Sequence, residues 1–556
     1  MKTQTLIAAG LLTLLACGWA GAQEPRAKHA GSSSVPLDSW VYPTFDRLVA
    51  LGYVRTSMAG LKPWTRTECA RLAEEARETL VEQGDFGSGA AQLIGRLKAE
   101  FAYEIGLLNG ERNLTANIDS VYTRAVSISG PVLTDSYHFG QTISYDFGRP
   151  FERGTNLQAG GSFDAAAGPV ALYVRTEFQH APSAPALSDA ARNIIALRDQ
   201  IPLPPAVPTP LINRARFLDA YAAVNVDNWQ LQVGKQSLSW GPGPGGPLLL
   251  SDNAQPVNMV RLVNPGPIRL PWFLGYLFGP VRLDQFIGRL AGRIDHPEPW
   301  IYGQKISFKP TPWLEIGYGR TTTIGGRGGD PFTIHNFILS YFGQVSSKLN
   351  SVPGSSDNEM DWTFYVPGVR NYIVLYGDLY AKDDFVAWLN PPRNPYRPGI
   401  YITHFPKIPK LDLHIEAANT QSPGGNHPNH GDQNYWNYEY TEADTNNGFL
   451  TGNTVGRMGQ AYQGWLTYWL SGVDTLRLTY KNSSVDQAFI TGGGMWQDYG
   501  LSCDIYLRSG FYLKAEAQYE HISHYPILFD GPQQNFTAIL EVGFLPRKDG
   551  GTNRGQ

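Results

Sequence analysis

The chain has 556 residues, of which 17% are charged, 42% hydrophobic and 12% aromatic, and its formal net charge is -4. That balance gives no basic field to hold nucleic acid, and the apolar content is too high for a disordered chain. With a mean hydropathy of -0.27 and no apolar run of about 18 residues past the N-terminus, it is not a helical membrane protein either.

Glycine (60), proline (40), tyrosine (29) and tryptophan (14) are abundant. Two classes remain: a large soluble all-β protein, or an outer-membrane β-barrel whose inward polar residues cancel its outward apolar ones. At the N-terminus, Lys2 precedes an apolar stretch from Leu6 to Ala16, and Ala20-Gly21-Ala22 supplies small residues for cleavage. Residues 1–22 therefore read as a signal peptide. Leu14-Leu15-Ala16-Cys17 also resembles a lipoprotein cleavage box, which would leave a lipidated Cys17. Past the cleavage site only Cys69 and Cys503 remain, too few for a disulfide framework. Two separate buried thiols or one bridge would fit.

Residues 23–35 are small and polar and read as a linker. Residues 36–112 read as a small helical bundle. Trp40, Phe45, Leu48, Val49 and Leu51 recur at helical spacing. Thr65 and Glu68 form a capping box for a helix running through Leu72, Ala76 and Leu80 to a stop at Gly84. A third helix is expected over Ala90 to Leu108. The Pro63-x-Thr65-Arg66-x-Glu68 pattern resembles one unit of an S-layer homology repeat.

From residue 113 to 545 the period becomes two. Val170, Leu172, Val174, Thr176 and Phe178 share a face. Leu476, Leu478 and Tyr480 alternate with Arg477, Thr479 and Lys481, and Leu513 to Tyr519 alternates likewise. Segments of about ten residues span a tilted bilayer crossing. Short turns such as 309–312, 367–368, 406–409, 472–474 and 509–510 join many of them. Long polar connections lie near 180–214, 241–280, 324–360, 420–460 and 522–534. Such segregation suits an all-β fold: a large antiparallel transmembrane barrel of about 16–18 strands behind a periplasmic helical bundle. The count does not close between residues 237 and 300. Phe536, Ala538, Leu540, Val542 and Phe544 make an apolar final strand that resembles the assembly signal of outer-membrane barrels, with Ile539 as an exception. Residues 546–556 form a polar tail.

Sugars are gripped by aromatic faces together with amides and carboxylates. The stretch Asn434, Tyr435, Trp436, Tyr438 and Tyr440, with Asp432 beside it, offers both within a long outer connection. It also suits a loop packed into the barrel mouth or an interfacial aromatic girdle. Trp240 to Pro247 is too rich in glycine and proline for a strand interior and reads as a fold-defining loop tucked into the lumen, or else as pore lining with Asp252 and Asn253. Leu187 to Asp199 could form a short helix that, with the stiff 201–205 run, plugs the lumen. His427, His430 and Asp432 could bind a metal or form a solvated turn. Asp357, Glu359 and Asp361 read as solvated carboxylates. Phosphate-loop and serine-nucleophile motifs are absent, so no catalytic residues, metal or cofactor are expected.

Two blocks, Gly234 to Gly243 (containing Trp240, Gly241, Pro242 and Gly243) and Leu248 to Pro256 (containing Asn253), resemble the capsule-assembly Wzi family. Asp295-His296-Pro297, Trp313 to Gly317 with Arg320, and His414 to Thr420 support them. The resemblance implies an 18-stranded outer-membrane barrel with a periplasmic helical bundle. It also implies a lectin-like role, holding exported capsular polysaccharide at the cell surface without catalysis. Polysaccharide, outer-membrane lipid, and envelope export or barrel-assembly machinery are the expected partners. A porin-like channel for small solutes is the alternative.

Overall fold

The computed structural model describes residues 29–294, 296–347, 351–382, 394–421, 434–442 and 444–546. The signal peptide, Cys17, His427, His430, Asp432, Asp295 and residues 547–556 lie outside these. The N-terminal part holds helices α1 (Val41–Leu51), α2 (Arg66–Gln83), α3 (Gly89–Glu100) and α4 (Ala102–Leu108). Thr65 caps α2 by accepting from the Glu68 amide at 3.2 Å, a bond worth about 1 kcal/mol. Only half of the capping box forms, because the Glu68 carboxylate turns to Arg71 instead. The expected third helix is two helices, broken at Phe101, whose ring is buried in the bundle core. Residues 29–35 are not a loose linker. Gln230 donates to Ser32 O at 2.7 Å, and the Ser34 amide donates to the Tyr221 hydroxyl at 2.8 Å.

Among the described residues, eighteen long strands then close a barrel in which each pairs antiparallel with its neighbours. They are β1 (Leu114–Ile128), β2 (Gly154–Ala167), β3 (Val170–Ala181), β4 (Ile212–Val226), β5 (Trp229–Gln236), β6 (Val257–Val263), β7 (Pro280–Arg289), β8 (Trp300–Thr311), β9 (Leu314–Ile324), β10 (Ser355–Tyr365), β11 (Ile373–Lys382), β12 (Tyr396–Ile402), β13 (Leu411–Asn419), β14 (Gly459–Ser471), β15 (Asp474–Val485), β16 (Gly494–Tyr506), β17 (Phe511–His524) and β18 (Gln533–Phe544). Closure pairs Val121 with Phe544 through Ile128 with Thr537. The missing hairpin is β6 and β7. The 241–280 stretch is therefore not one long outer connection. Its first part dips into the lumen, β6 follows, and residues 264–279 connect at the short-turn end. Among the described residues, three further helices, α5 (Asp189–Asp199), α6 (Trp272–Phe278) and α7 (Ile334–Tyr341), lie in connections.

The strands alternate as their sequence demands. Leu478, Leu501, Leu540 and Val542 are exposed on the outside, as a lipid-facing wall requires. Tyr480, Tyr499, Tyr519 and Phe536 pair in register across β15 to β18 and form an aromatic band on it. Ile539 points inward for a reason the strand alone does not reveal: it packs with Val126 and Ile128 of β1 and with Ile143 and Phe151 of a connection folded inside. Cys69 is buried and Cys503 half-buried, and both are free thiols.

Candidate functional site: the sealed lumen and its cap

The helical bundle closes the short-turn end. Its core is continuous with inward aromatics Tyr376, Tyr401, Trp469 and Tyr506 of the barrel. Arg47 bonds Asp412 at 2.9 Å beneath Trp469, and Arg175 grips Asp38 through two bonds of 2.9 and 2.7 Å. The buried Arg47–Asp412 pair fixes orientation more than it stabilises, since desolvation offsets much of its attraction, whereas Asp38 keeps about a third of its side chain open, at 36%.

From the other end, residues 237–256 descend through the lumen until they meet this bundle. Trp240 pairs with Leu61 and Ser239 with Lys62 in a short antiparallel ladder, and the Gly241 amide reaches Gly60 O at 2.9 Å. Trp240 is fully buried, 5.5 Å from Phe286, and its indole N–H donates to Asp284 at 3.2 Å. Arg261 holds that carboxylate with bonds of 2.8 and 2.7 Å. Gly243 sits at φ +82°, and a Cβ there would collide with Tyr376 and Glu416. Glycine is thus required by both conformation and space. Arg397 donates to Pro242 O at 2.6 Å, and Leu248 and Gly245 amides donate to Asp378 (2.7 Å) and Glu416 (3.2 Å). Asn253 is buried, donating to Leu450 O at 3.0 Å and accepting from the Tyr145 amide at 3.2 Å, and Pro256 is buried where β6 begins. These residues hold the plug in place.

The carboxylates Asp357, Glu359 and Asp361 are not solvated. They face inward and are buried, Asp357 against Lys382 at 2.9 Å and the other two around Lys305. A neighbouring triad joins Arg397 to Asp378 and Glu416 at 2.8 Å each. The dipping segment needs such partners because its backbone N–H groups leave water. The wall from β15 to β17 is wetter. Glu516 faces inward and is exposed, with Arg477, Lys481, Asp504, Lys514 and Gln518 half-buried around it, so a polar hollow persists beside the plug.

Among the described residues, several connections form the cap at the long-connection end. Residues 129–153 make a small hairpin, Thr134–Asp135 with Gly140–Gln141. Next come 182–211 and 237–256, then 434–442 with 444–458, 486–493 and Tyr525 of the connection after β17. The predicted helix in the second of these is α5, capped by Ser188. It lies over the mouth, with Ala191 and Ile194 packed on Phe489, Trp496 and Tyr525. Arg457 pins the assembly. Fully buried, it bonds Asp199 at 2.6 Å and lies 5.0 Å from the ring of Tyr137, 5.8 Å from Trp436 and 4.9 Å from Phe489. His138 takes the other Asp199 oxygen at 2.9 Å and Asp135 at 2.7 Å. Burial opposes its charge, but the two carboxylates outweigh burial and lift its pKa to about 10. Asp135 is correspondingly lowered: burial works against its charge, and His138 overcomes it.

The expected sugar-binding stretch divides. Tyr435 is buried with φ +61°, its hydroxyl donating to Leu248 O at 2.6 Å and its ring 4.9 Å from Tyr380. Tyr440 donates no face to solvent, since it is buried and its oxygen accepts from the Gly325 amide at 3.0 Å. Trp436 and Asn434 are buried too, Asn434 donating to Thr420 O at 2.7 Å. Only Tyr438 of the four aromatics is open, at 70% exposure. The connection folds inward because its tyrosines supply both apolar area and hydroxyls that satisfy backbone groups left inside. Arg457, Asp199 and His138 escaped the sequence reading, since they are isolated polar residues far apart in the chain and no spacing joins them. Among the described residues, no group of three or more His, Cys, Asp or Glu could hold a metal.

The family model for capsule assembly protein Wzi matches residues 124–538. A protein of the cps region of Klebsiella pneumoniae, known as an uncharacterised 55.8 kDa protein, is 25% identical over 207 residues, 36% of this chain and 40% of that protein's length. The structure of Wzi, an Escherichia coli outer membrane protein involved in group 1 capsule assembly and a carbohydrate-binding β-barrel, superposes with a TM-score of 0.67 at 15% identity. It covers 93% of this chain and 100% of that one. The Pseudomonas aeruginosa protein OccD3 superposes with a TM-score of 0.42 at 10% identity, over 78% and 92% of the two chains.

Proposed function

Because the chain belongs to the capsule assembly protein Wzi family, an outer-membrane barrel, we propose that it anchors capsular or another exported polysaccharide at the cell surface without catalysis. The observation that carries this reading is the double seal: bundle and dipping connection meet in mid-lumen at Gly60 and Gly241. A barrel closed from both ends serves as a rigid platform rather than a conduit. In this reading residues 1–22 direct export, the helical bundle lies in the periplasm and the cap faces outward. The carbohydrate binding described for the Escherichia coli protein supports polysaccharide as the ligand here. Tyr438 is the aromatic available for direct sugar contact, while Asn434, Tyr435, Trp436 and Tyr440 hold the surface that presents it. Several such weak contacts along a repeating polymer add up through multivalency. The test is retention of the cell's own polysaccharide by cells producing Tyr438→Ala. Reduced retention with an unchanged heat-modifiable barrel supports the reading, and normal retention refutes the role of Tyr438.

The polar hollow around Glu516 favours a second reading, a channel for small solutes. Planar-bilayer recording separates the two, since an anchor is nearly silent and a channel conducts.

A further inference from the structure

Helix α6 sits outside the barrel, not in it. Arg282 and Asp284 of β7 face the lumen, Asp284 bonding Trp240 and Arg261, so alternation turns Val281 and Leu283 outward. Elsewhere on the wall such residues are about half exposed, as with Leu478 at 53% and Leu540 at 51%, yet Val281 and Leu283 are 0% and 1% exposed. The cover is α6. Its Leu274 and Phe278 lie on Leu270, Val281, Leu283, Ile306 and Phe308, with the Phe278 and Phe308 rings edge-on at 5.2 Å. Two glycines permit the close fit, since a Cβ on Gly275 would strike Leu270 O and one on Gly279 would strike Lys309 O.

The other face of the same helix is bare. Trp272 is 90% exposed, Tyr276 92%, Phe273 69% and Leu277 57%. Four large apolar side chains on one turn-and-a-half would be a liability in water. They stand at the short-turn end, level with the exposed Trp313, Tyr372, Tyr468 and Phe511 of the wall. The helix therefore continues the lipid-facing wall as a second layer. Arg269, exposed two residues before Pro271, adds a cation at the edge of this patch, where long basic side chains meet phosphate.

We infer that α6 is an interfacial anchor, with Trp272, Phe273, Tyr276 and Leu277 immersed in the phospholipid leaflet that faces the periplasm and Arg269 at its head groups. The inference rests on the reading of the barrel as membrane-spanning with its short turns toward the periplasm. Amphipathic elements of this type bind by buried apolar area plus attraction to lipid phosphate. Here the partner's side is already supplied by the continuous apolar wall.

The test uses the full chain in nanodiscs made with acyl-brominated or ordinary phospholipid. The emission lost in Trp272→Phe reports Trp272, and that lost in Trp362→Phe reports a wall residue of β10 as control. The expected result is that bromine lowers the Trp272 component at least twofold while aqueous iodide leaves it unchanged. Photoactivatable phospholipid should also mark residues 272–278 in the unaltered chain. Iodide quenching of Trp272 without bromine quenching, while Trp362 is quenched by bromine, overturns the inference and leaves the barrel reading intact. Protection of Trp272 from both quenchers, with crosslinked dimers, also overturns it, in favour of a second copy. Failure of bromine to reach Trp362 overturns the membrane reading itself.

Discussion

Replacing Arg457 by methionine should release the cap while leaving the barrel closed. Arg457 is fully buried and joins three other connections to its own through Asp199, Tyr137 and Phe489. Removing one partner of a buried ion pair costs about 3–5 kcal/mol. The lower end applies, because Asp199 keeps His138 at 2.9 Å and methionine keeps part of the apolar stem. Stacking over two or three rings adds about 0.5–1 kcal/mol each, some of which the methionine recovers. The loss is therefore about 3 kcal/mol, and it falls on local opening, since none of these groups belongs to the strand ladder near the bilayer. That energy corresponds to a rise of roughly a hundredfold in the opening equilibrium. Hydrogen exchange in nanodiscs reads it directly: amides of Asp189–Asp199 should lose about two decades of protection, and those of Asp474–Val485 none. A double-mutant cycle with Asp199→Asn should show the two losses strongly non-additive. A loss below about threefold, or one spread evenly over the strands, would refute the reasoning that Arg457 pins the cap.

The His138 network carries a pH signature. Its folded-state pKa of about 10 exceeds the unfolded value of about 6.5, so its contribution is complete below pH 6.5 and disappears as pH rises through 10. Exchange protection of the cap, corrected for intrinsic rates, should fall across that window in the native chain and stay flat in His138→Asn. Tyr435→Ala should cost about 3–5 kcal/mol of cap stability, as for other buried aromatics, whereas Tyr438→Ala should leave thermal unfolding unchanged and reduce polymer retention. Gly243→Ala forces a Cβ into Tyr376 and Glu416 at φ +82°. The plug should shift, and single-channel recording should show conductance above that of the unaltered protein.

The local pattern of residues already determined a great deal of this protein. Alternation along segments such as Leu476 to Lys481 dictates strands with one apolar face, because side chains of a strand point to opposite sides whatever its neighbours are. The N-cap at Thr65 and the stop at Gly84 are likewise local, and both bound α2 as expected. The glycine and proline run after Trp240 excluded a regular strand there. What the linear order could not supply was the direction in which long connections fold. Residues 434–440 suited both an outer sugar-binding loop and an inner packing segment. Tyr435 becomes structural only because Leu248 O and Tyr380, far away in sequence, wait inside the barrel. The same holds for Ile539, an apparent break in alternation until Ile143 and Phe151 arrive beside it. Helix α6 is an apolar run by sequence, and only the wall beneath it shows which half is covered. Periodicity is set by each residue's own geometry, but burial is set by what the closed barrel brings against it, and that sum of distant contacts is what seals this lumen.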